Sequence, residues 1–249
     1  MSPLSSSTAL VTGASRGIGA AIAKALAARG ARVVVHYRER EESANAVVAA
    51  IRDAGGKASA MRADLADARA IEVLFRRIDD DFGPIDVLVN NAGLGGVRPL
   101  AEIDDELLRT FFSVNVHAVV HACREAARRM AGRGGRIVNV SSINGRVGTP
   151  GACVYAATKA AVESITKSLA FELGPDGITV NAVAPGFTES DMLASVTPRS
   201  SWPQLAELTA LGRVGAPEDV AAVVAFLVSK EARWVTGQVI GADGGLRLG

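Results

Sequence analysis

The sequence predicts a single α/β domain, a doubly wound parallel sheet of about seven strands with helices on both faces. Three observations predict it. Short runs rich in Val and Ile alternate with amphipathic stretches along the whole chain, the pattern of repeated βα units. The 249 residues suit one such domain, and no composition shift or low-complexity linker divides them. Apolar residues make up 49% but aromatics only 4%, so small aliphatic side chains must fill the core, as in helices packed closely on a sheet buried on both faces.

The elements follow in order. An apolar run at 9–12 reads as the first strand, and helical periodicity over 18–29 ends at Gly30. Val33-Val34-Val35 marks a buried strand over 32–37, and a helix over 41–54 stops at Gly55-Gly56. Residues 58–62 read as a third strand, and 67–82 as a helix halted by Gly83-Pro84. A strand at 85–90 leads into one long helical stretch, 104–130, ended by the glycines around 132–135. Then come a strand at 136–141, a helix at 154–173 and a strand at 179–183. Residues 187–214 contain Pro198 and Pro203 and show no clean period. A stretch that long without a period suits a lid over a substrate pocket. A helix over 217–228, with Glu218 and Asp219 at its positive end, and a short strand at 238–241 complete the chain over 1–249.

Several functions are excluded by composition. The formal net charge is +1, which offers nothing to nucleic acid or an anionic membrane. No apolar run approaches the ~20 residues of a membrane span. The opening MSPLSSST has neither a basic nor an apolar leader region, so a cytoplasmic protein is expected. Cys123 and Cys153 are too few for a disulfide framework, and Cys153 is expected to be a small buried hydrophobe. Of the three histidines, His36, His117 and His121, the pair His117 and His121 would share a helix face, but no carboxylate pattern completes a metal site; they are expected as surface or interface polar residues, and no metal is expected.

The first strand runs directly into TGASRGIG at 12–19, which opens the first helix. Glycines there let the backbone turn tightly and approach a pyrophosphate lying on the helix N-terminus. The residues expected to line it are Gly13, Ser15, Arg16, Gly17, Ile18 and Gly19. An acid at the tip of the second strand would bind the ribose 2′-hydroxyl of NAD. Here the tip is His36-Tyr37-Arg38, and Arg38 with Arg16 suits a 2′-phosphate, so NADP(H) is expected. Further on, Tyr155 and Lys159 stand four residues apart on a helix and share a face. A free phenol is a poor acid near neutrality, and an adjacent ammonium is expected to lower its pKa toward the useful range.

These motifs, with Asp64, Asn90-Asn91-Ala92-Gly93, Asn115, Ser142 and Pro185-Gly186 in order, make the sequence resemble the short-chain dehydrogenase/reductase family over essentially its whole length. Within the family it most resembles 3-oxoacyl-acyl-carrier-protein reductases. The resemblance implies a Rossmann-type fold and NADPH-dependent reduction of a ketone. It implies that Ser142 polarises the carbonyl and that Tyr155 donates the proton. Lys159 would bind the nicotinamide ribose and tune Tyr155, and Asn115 would hold a water beside Lys159. An Asn inside a long helix also suits a locally distorted turn. Asp64 and Leu65 would meet the adenine, and Asn91, Ala92 and Gly93 the adenosine ribose and sheet. Pro185, Gly186 and a hydroxyl from Thr188 or Ser190 would hold the carboxamide. The substrate wall is expected from Ile143, Cys153, Phe187 and Leu193, with Leu94, Val147, Met192 and Trp202 as further candidates.

Carrier-protein reductases present two basic residues to the acidic carrier. Arg133 suits the first position, but the second falls at Asp176, with Arg128, Arg129 and Arg136 as possible compensation. The substrate is therefore either a 3-oxoacyl thioester, on a carrier protein or not, or a free ketone or aldehyde. An NAD-dependent dehydrogenase of sugars or steroids and a catalytically silent nucleotide sensor are the remaining alternatives. The family resemblance also implies a homotetramer, with Ala118, Ala122, Ala126, Ala157, Ala160 and Ala161 available for close helix approach or for packing on the sheet.

Overall fold

The computed structural model describes residues 4–246; the first three and last three residues of the domain expected over 1–249 lie outside the described residues. Seven parallel strands form one sheet: β1 (Thr8–Val11), β2 (Arg32–Tyr37), β3 (Lys57–Arg62), β4 (Val87–Asn90), β5 (Gly135–Val140), β6 (Ile178–Pro185) and β7 (Val239–Ala242). Their spatial order is β3-β2-β1-β4-β5-β6-β7. The period of two along each strand sends neighbouring side chains to opposite faces. Ala9, Val11, Val33 and Val35 meet α1 (Gly17–Ala27), α2 (Glu41–Asp53) and α9 (Pro217–Leu227). Leu10, Val34, Leu88 and Ile137 meet α3 (Ala68–Phe82), α5 (Ala118–Met130) and α6 (Cys153–Leu173). The first face is filled with Val and Ala, which lets α1 and α9 pack against each other close to the sheet.

The chain winds outward from β1 to β3, then returns to β4 on the other side of β1. The connections leaving the carboxyl ends of β1 and β4 diverge there and open a crevice, the position where such sheets bind ligands.

Two expectations need correction. The stretch 104–130 is not one helix. It is α4 (Asp105–Phe112), a π-helical turn (Ser113–His117) and α5. The turn falls where Asn115 was expected to distort the helix, and its amide bonds outside the helix, to Leu94 and Thr158. The region 187–214 is not without secondary structure. It holds α7 (Asp191–Val196) and α8 (Trp202–Glu207), each too short to show a period. Its stem is pinned where Gly215 donates to Phe187 O at 2.8 Å and Glu189 donates to Gly215 O at 2.9 Å. The alanines divide as well: Ala118, Ala122 and Ala126 pack inward under the sheet, while Ala157 and Ala160 face outward. Among the described residues, no helix is long and apolar enough to cross a membrane.

Candidate active site

A cleft of about 1110 Å³ lies over the carboxyl ends of β1, β4, β5 and β6. Its floor is the turn between β1 and α1. Gly13 has φ +62°, and a Cβ there would stand 2.8 Å from Ala92 Cα. A Cβ on Gly19 would run into the Gly13 carbonyl and the Asn91 amide. No side chain caps α1, and no acid stands in its first turn. Its leading N–H groups therefore face the cleft as donors for an anion, which fits a pyrophosphate. Gly13, Ser15, Arg16, Gly17, Ile18 and Gly19 all line the cleft.

The neighbouring Asn91 does structural work. Its amide donates to Thr12 O at 2.9 Å and Gly13 O at 3.0 Å, so it ties β4 to the turn. Thr12 completes the tie, its Oγ1 accepting from the N–H groups of Asn91 and Ala92, both at 3.0 Å. Asn91, Ala92 and Gly93 then form one side of the cleft.

At the far end Arg38, Asp64 and Leu65 line the cleft, as expected, joined by Arg40. His36, to which the sequence assigned no role, is buried; its Nδ1 accepts from Gly13 N–H at 3.1 Å, and its Nε2 bonds Ala63 O at 3.1 Å. This one ring joins the tip of β2 to the turn between β1 and α1 and to the end of β3. Burial pushes its pKa down to about 4, against the opposing pull of the Ala63 carbonyl and the Asp64 charge. The ring is neutral at physiological pH, which its acceptor role at Nδ1 requires. The one signal in the sequence is the place of His36 at the end of an all-apolar run, Val33-Val34-Val35, in a strand buried on both faces, which marks burial but not the partners.

The other wall carries the proton-transfer candidates. Ser142, Tyr155 and Lys159 all line the cleft. Lys159 is buried and donates to Val140 O at 2.8 Å, and its Nζ lies 5.7 Å from the Tyr155 ring centroid. Burial lowers its pKa to about 8. The expected lowering of Tyr155 by Lys159 is not found. Burial raises the phenol above its ordinary value, and only its hydrogen bond with Ser142 pulls the other way. Tyr155 is thus a protonated phenol at neutral pH.

Asn115 does not line the cleft; it braces the wall from behind. Its Oδ1 accepts from Leu94 N–H at 2.7 Å, and its Nδ2 donates to Leu94 O at 2.9 Å and Thr158 Oγ1 at 3.0 Å. Gly93 faces both groups: a Cβ there would stand 3.3 Å from Asn115 Oδ1 and 3.5 Å from Lys159 Nζ. A second brace went unnoticed in the sequence. The buried Glu163 carboxylate accepts from Ser141 Oγ at 3.1 Å and from Arg146 Nε at 3.0 Å, and Arg146 also donates to Val239 O at 2.8 Å. This holds the segment carrying Ser142 against α6 and β7. Glu163 lies one helical turn beyond Lys159, a spacing that could have suggested it.

Pro185 and Gly186 close the cleft beneath the lid, where Gly186 N–H donates to Ala242 O at 3.1 Å. Thr188 and Ser190 also line it, but their hydroxyls serve the lid backbone. Thr188 donates to Gly186 O at 3.1 Å, and Ser190 caps α7 through Leu193 N–H, also at 3.1 Å. Ile143, Phe187 and Leu193 line the cleft with Leu94, Val147 and Met192. Cys153 does not: it begins α6 on the exposed side, because Ala152 and Val154 turn inward on either side of it. Trp202 also lies outside the lining, its Nε1 donating to Thr197 O at 3.3 Å.

Comparison with known proteins agrees with this geometry. Residues 13–247 match the family model described as Enoyl-(Acyl carrier protein) reductase. The chain is 47% identical to an uncharacterized oxidoreductase of Methylorubrum extorquens, over 99% of this chain and 100% of the relative. It is 42% identical to the 3-oxoacyl-(acyl-carrier-protein) reductase FabG of Staphylococcus aureus, over 97% of this chain and 98% of that one. A short-chain dehydrogenase from Burkholderia cenocepacia, solved in complex with NADP, superposes with a TM-score of 0.91 at 43% identity, covering 97% of this chain and 98% of that chain.

Proposed function

The chain belongs to the short-chain dehydrogenase/reductase family, and from that premise we propose that it reduces a ketone to a secondary alcohol with NADPH, Tyr155 giving the proton. The observation that carries the reading is the convergence of Ser142, Tyr155 and Lys159 on one wall of a cleft whose floor is an uncapped helix N-terminus. Bound NADPH supplies the hydride. The Ser142 hydroxyl and the Tyr155 phenol bind the carbonyl oxygen and polarise it. As negative charge grows on that oxygen, the phenol releases its proton to it. A phenol kept protonated by burial suits the reducing direction. The Lys159 ammonium, beside the Tyr155 ring, binds the nicotinamide ribose. Asn115 holds Leu94 and Thr158 so that Lys159 and Gly93 keep their places, with a water beside Lys159 as the route by which a proton from solvent restores the Tyr155 phenol. Arg16 and Arg38 bind the 2′-phosphate, Asp64 and Leu65 the adenine, and Pro185, Gly186, Thr188 and Ser190 the nicotinamide end.

The substrate has an apolar body, held by Ile143, Phe187, Leu193 and Met192 under a lid over 187–214. One observation favours a free carbonyl compound over a substrate delivered on a carrier protein. Of the arginines that would meet an acidic carrier, Arg129 is part-buried in ion pairs within the chain, and Arg128 and Arg133 have acidic partners of their own at the surface. Arg133 bonds Asp86 at 2.7 Å, Arg129 bonds Asp79 at 2.8 Å and Glu125 at 2.9 Å, and Arg128 bonds Glu125 at 2.9 Å. Asp176 is exposed in the turn before β6, where Gly177 meets Gly134 beside Arg133, and it repels such a partner. The test is the initial rate of NADPH oxidation with acetoacetyl thioester and with a panel of aryl ketones and aldehydes, NADH being run in parallel. Turnover with NADPH is expected, fastest on the free ketones. A thioester-only rate would restore the carrier reading, and a preference for NADH would end the NADPH assignment.

A further inference from the structure

The head of the lid reaches across the cleft to the end where the cofactor's adenosine is read. Helix α7 begins at Asp191, and its carboxylate forms an ion pair with Arg16 of the phosphate-binding turn. The same carboxylate oxygen lies 4.0 Å from Arg40 Nη1, which stands just past the tip of β2. Asp191 is therefore an anion held between the turn that faces a pyrophosphate and the strand tip that reads the ribose 2′-position. Arg38, the other cation there, is paired with its neighbour Glu39 at 2.5 Å. Beside Asp191, Met192 presses on the opposite wall: a Cβ on Gly95 would come within 2.5 Å of Met192 Sδ. Ser190 Cβ is 4.0 Å from the Cβ position of Gly17. The α7 end thus straps both walls together, with Asp191 as the charged end of the strap.

We propose that Asp191 stands in for the cofactor's 2′-phosphate, and that arrival of this phosphate at Arg16, with Arg38 and Arg40 beside it, displaces the carboxylate and unclasps the lid. The inference rests on the reading of the protein as an NADPH enzyme. A phosphate carries more charge and more acceptor oxygens than a carboxylate, so it wins the guanidinium. A cofactor without the 2′-phosphate brings no anion to the strand tip beside Arg40 and leaves the strap in place. Cofactor choice and access to the ketone pocket are then one event, read by a lid residue rather than by an acid on β2. Arg16, Arg40 and Asp191 are all about half-exposed, so the exchange takes place in reach of solvent.

The experiment compares two fragments, 2′,5′-ADP and 5′-ADP, by calorimetric titration of wild-type protein and Asp191→Asn at low ionic strength. If wild type binds both fragments equally, the NADPH reading itself fails. If wild type prefers 2′,5′-ADP, the inference predicts that Asp191→Asn binds this fragment about 2- to 5-fold tighter, the range of an exposed ion pair. Its affinity for 5′-ADP is expected to be unchanged, and the gain should shrink as salt is added. Weaker or unchanged binding of 2′,5′-ADP by the variant, or the same gain for both fragments, would overturn the inference.

Discussion

The two ends of the cleft are built on opposite principles. At the proton-transfer end, Lys159, Asn115, Glu163 and Ser141 are buried, and each is held by hydrogen bonds to a neighbouring element. At the adenosine end, Arg16, Arg38, Arg40 and Asp191 are half-exposed and held by ion pairs. Buried groups in a low dielectric hold fixed positions and shifted pKa values, which proton transfer needs. Exposed ion pairs are weak and exchangeable, which suits binding and release of a highly charged cofactor. His36 belongs to the buried style but sits at the exposed end, where it fixes the turn on which the arginines depend.

The contrast can be broken at either end. At the buried end, Lys159→Ala should lower kcat on the order of 10³-fold. In wild type the ammonium is lost as pH rises through about 8, so the reduction rate should fall along that limb. A pH–rate profile of the variant should lack the limb.

The next effect is on stability. His36 in the folded protein takes up a proton only near pH 4, whereas unfolded histidine does so near 6.5. Below about 6.5 the unfolded state binds the extra proton, so stability is present above that pH and is lost progressively down to 4. The loss attributable to this group is about 3 kcal/mol. Urea unfolding at pH 7 and pH 4.5 should show it, and His36→Asn should flatten the dependence.

The smallest effect is expected at the exposed end. Arg38→Ala should weaken NADPH binding about tenfold, the lower range for a charge-assisted hydrogen bond. It should leave NADH binding unchanged, and fluorescence titration with each cofactor would separate the two.

The same contrast decides what was legible in the sequence. The seven strands follow from Val and Ile periodicity, because a sheet buried on both faces leaves little freedom in composition. The turn at 12–19 and the Tyr155/Lys159 pair were legible because their spacing is itself the chemistry. Asn115 signalled a break in the helix, and a π-helical turn occupies that place. What stayed hidden depends on partners distant in sequence. His36 looked like an ordinary polar residue until β3 and the turn closed around it. Arg146 meets Glu163, and Arg16 meets Asp191, only once the sheet is assembled. Cys153 was misplaced because one position around a helix separates inside from outside, and a single apolar-looking residue does not reveal which. The raised Tyr155 pKa was missed for a similar reason: charge on Lys159 is apparent in sequence, whereas burial of the phenol is not.

The central claim is that Tyr155 gives the proton and does little for cofactor binding. Tyr155→Phe keeps the ring and removes only the hydroxyl, so kcat for ketone reduction and the NADPH Kd should be measured on the same preparation. The account predicts a fall in kcat on the order of 10³-fold or more, with the Kd essentially unchanged. A variant that binds NADPH normally and still reduces ketone at near wild-type rate would contradict it.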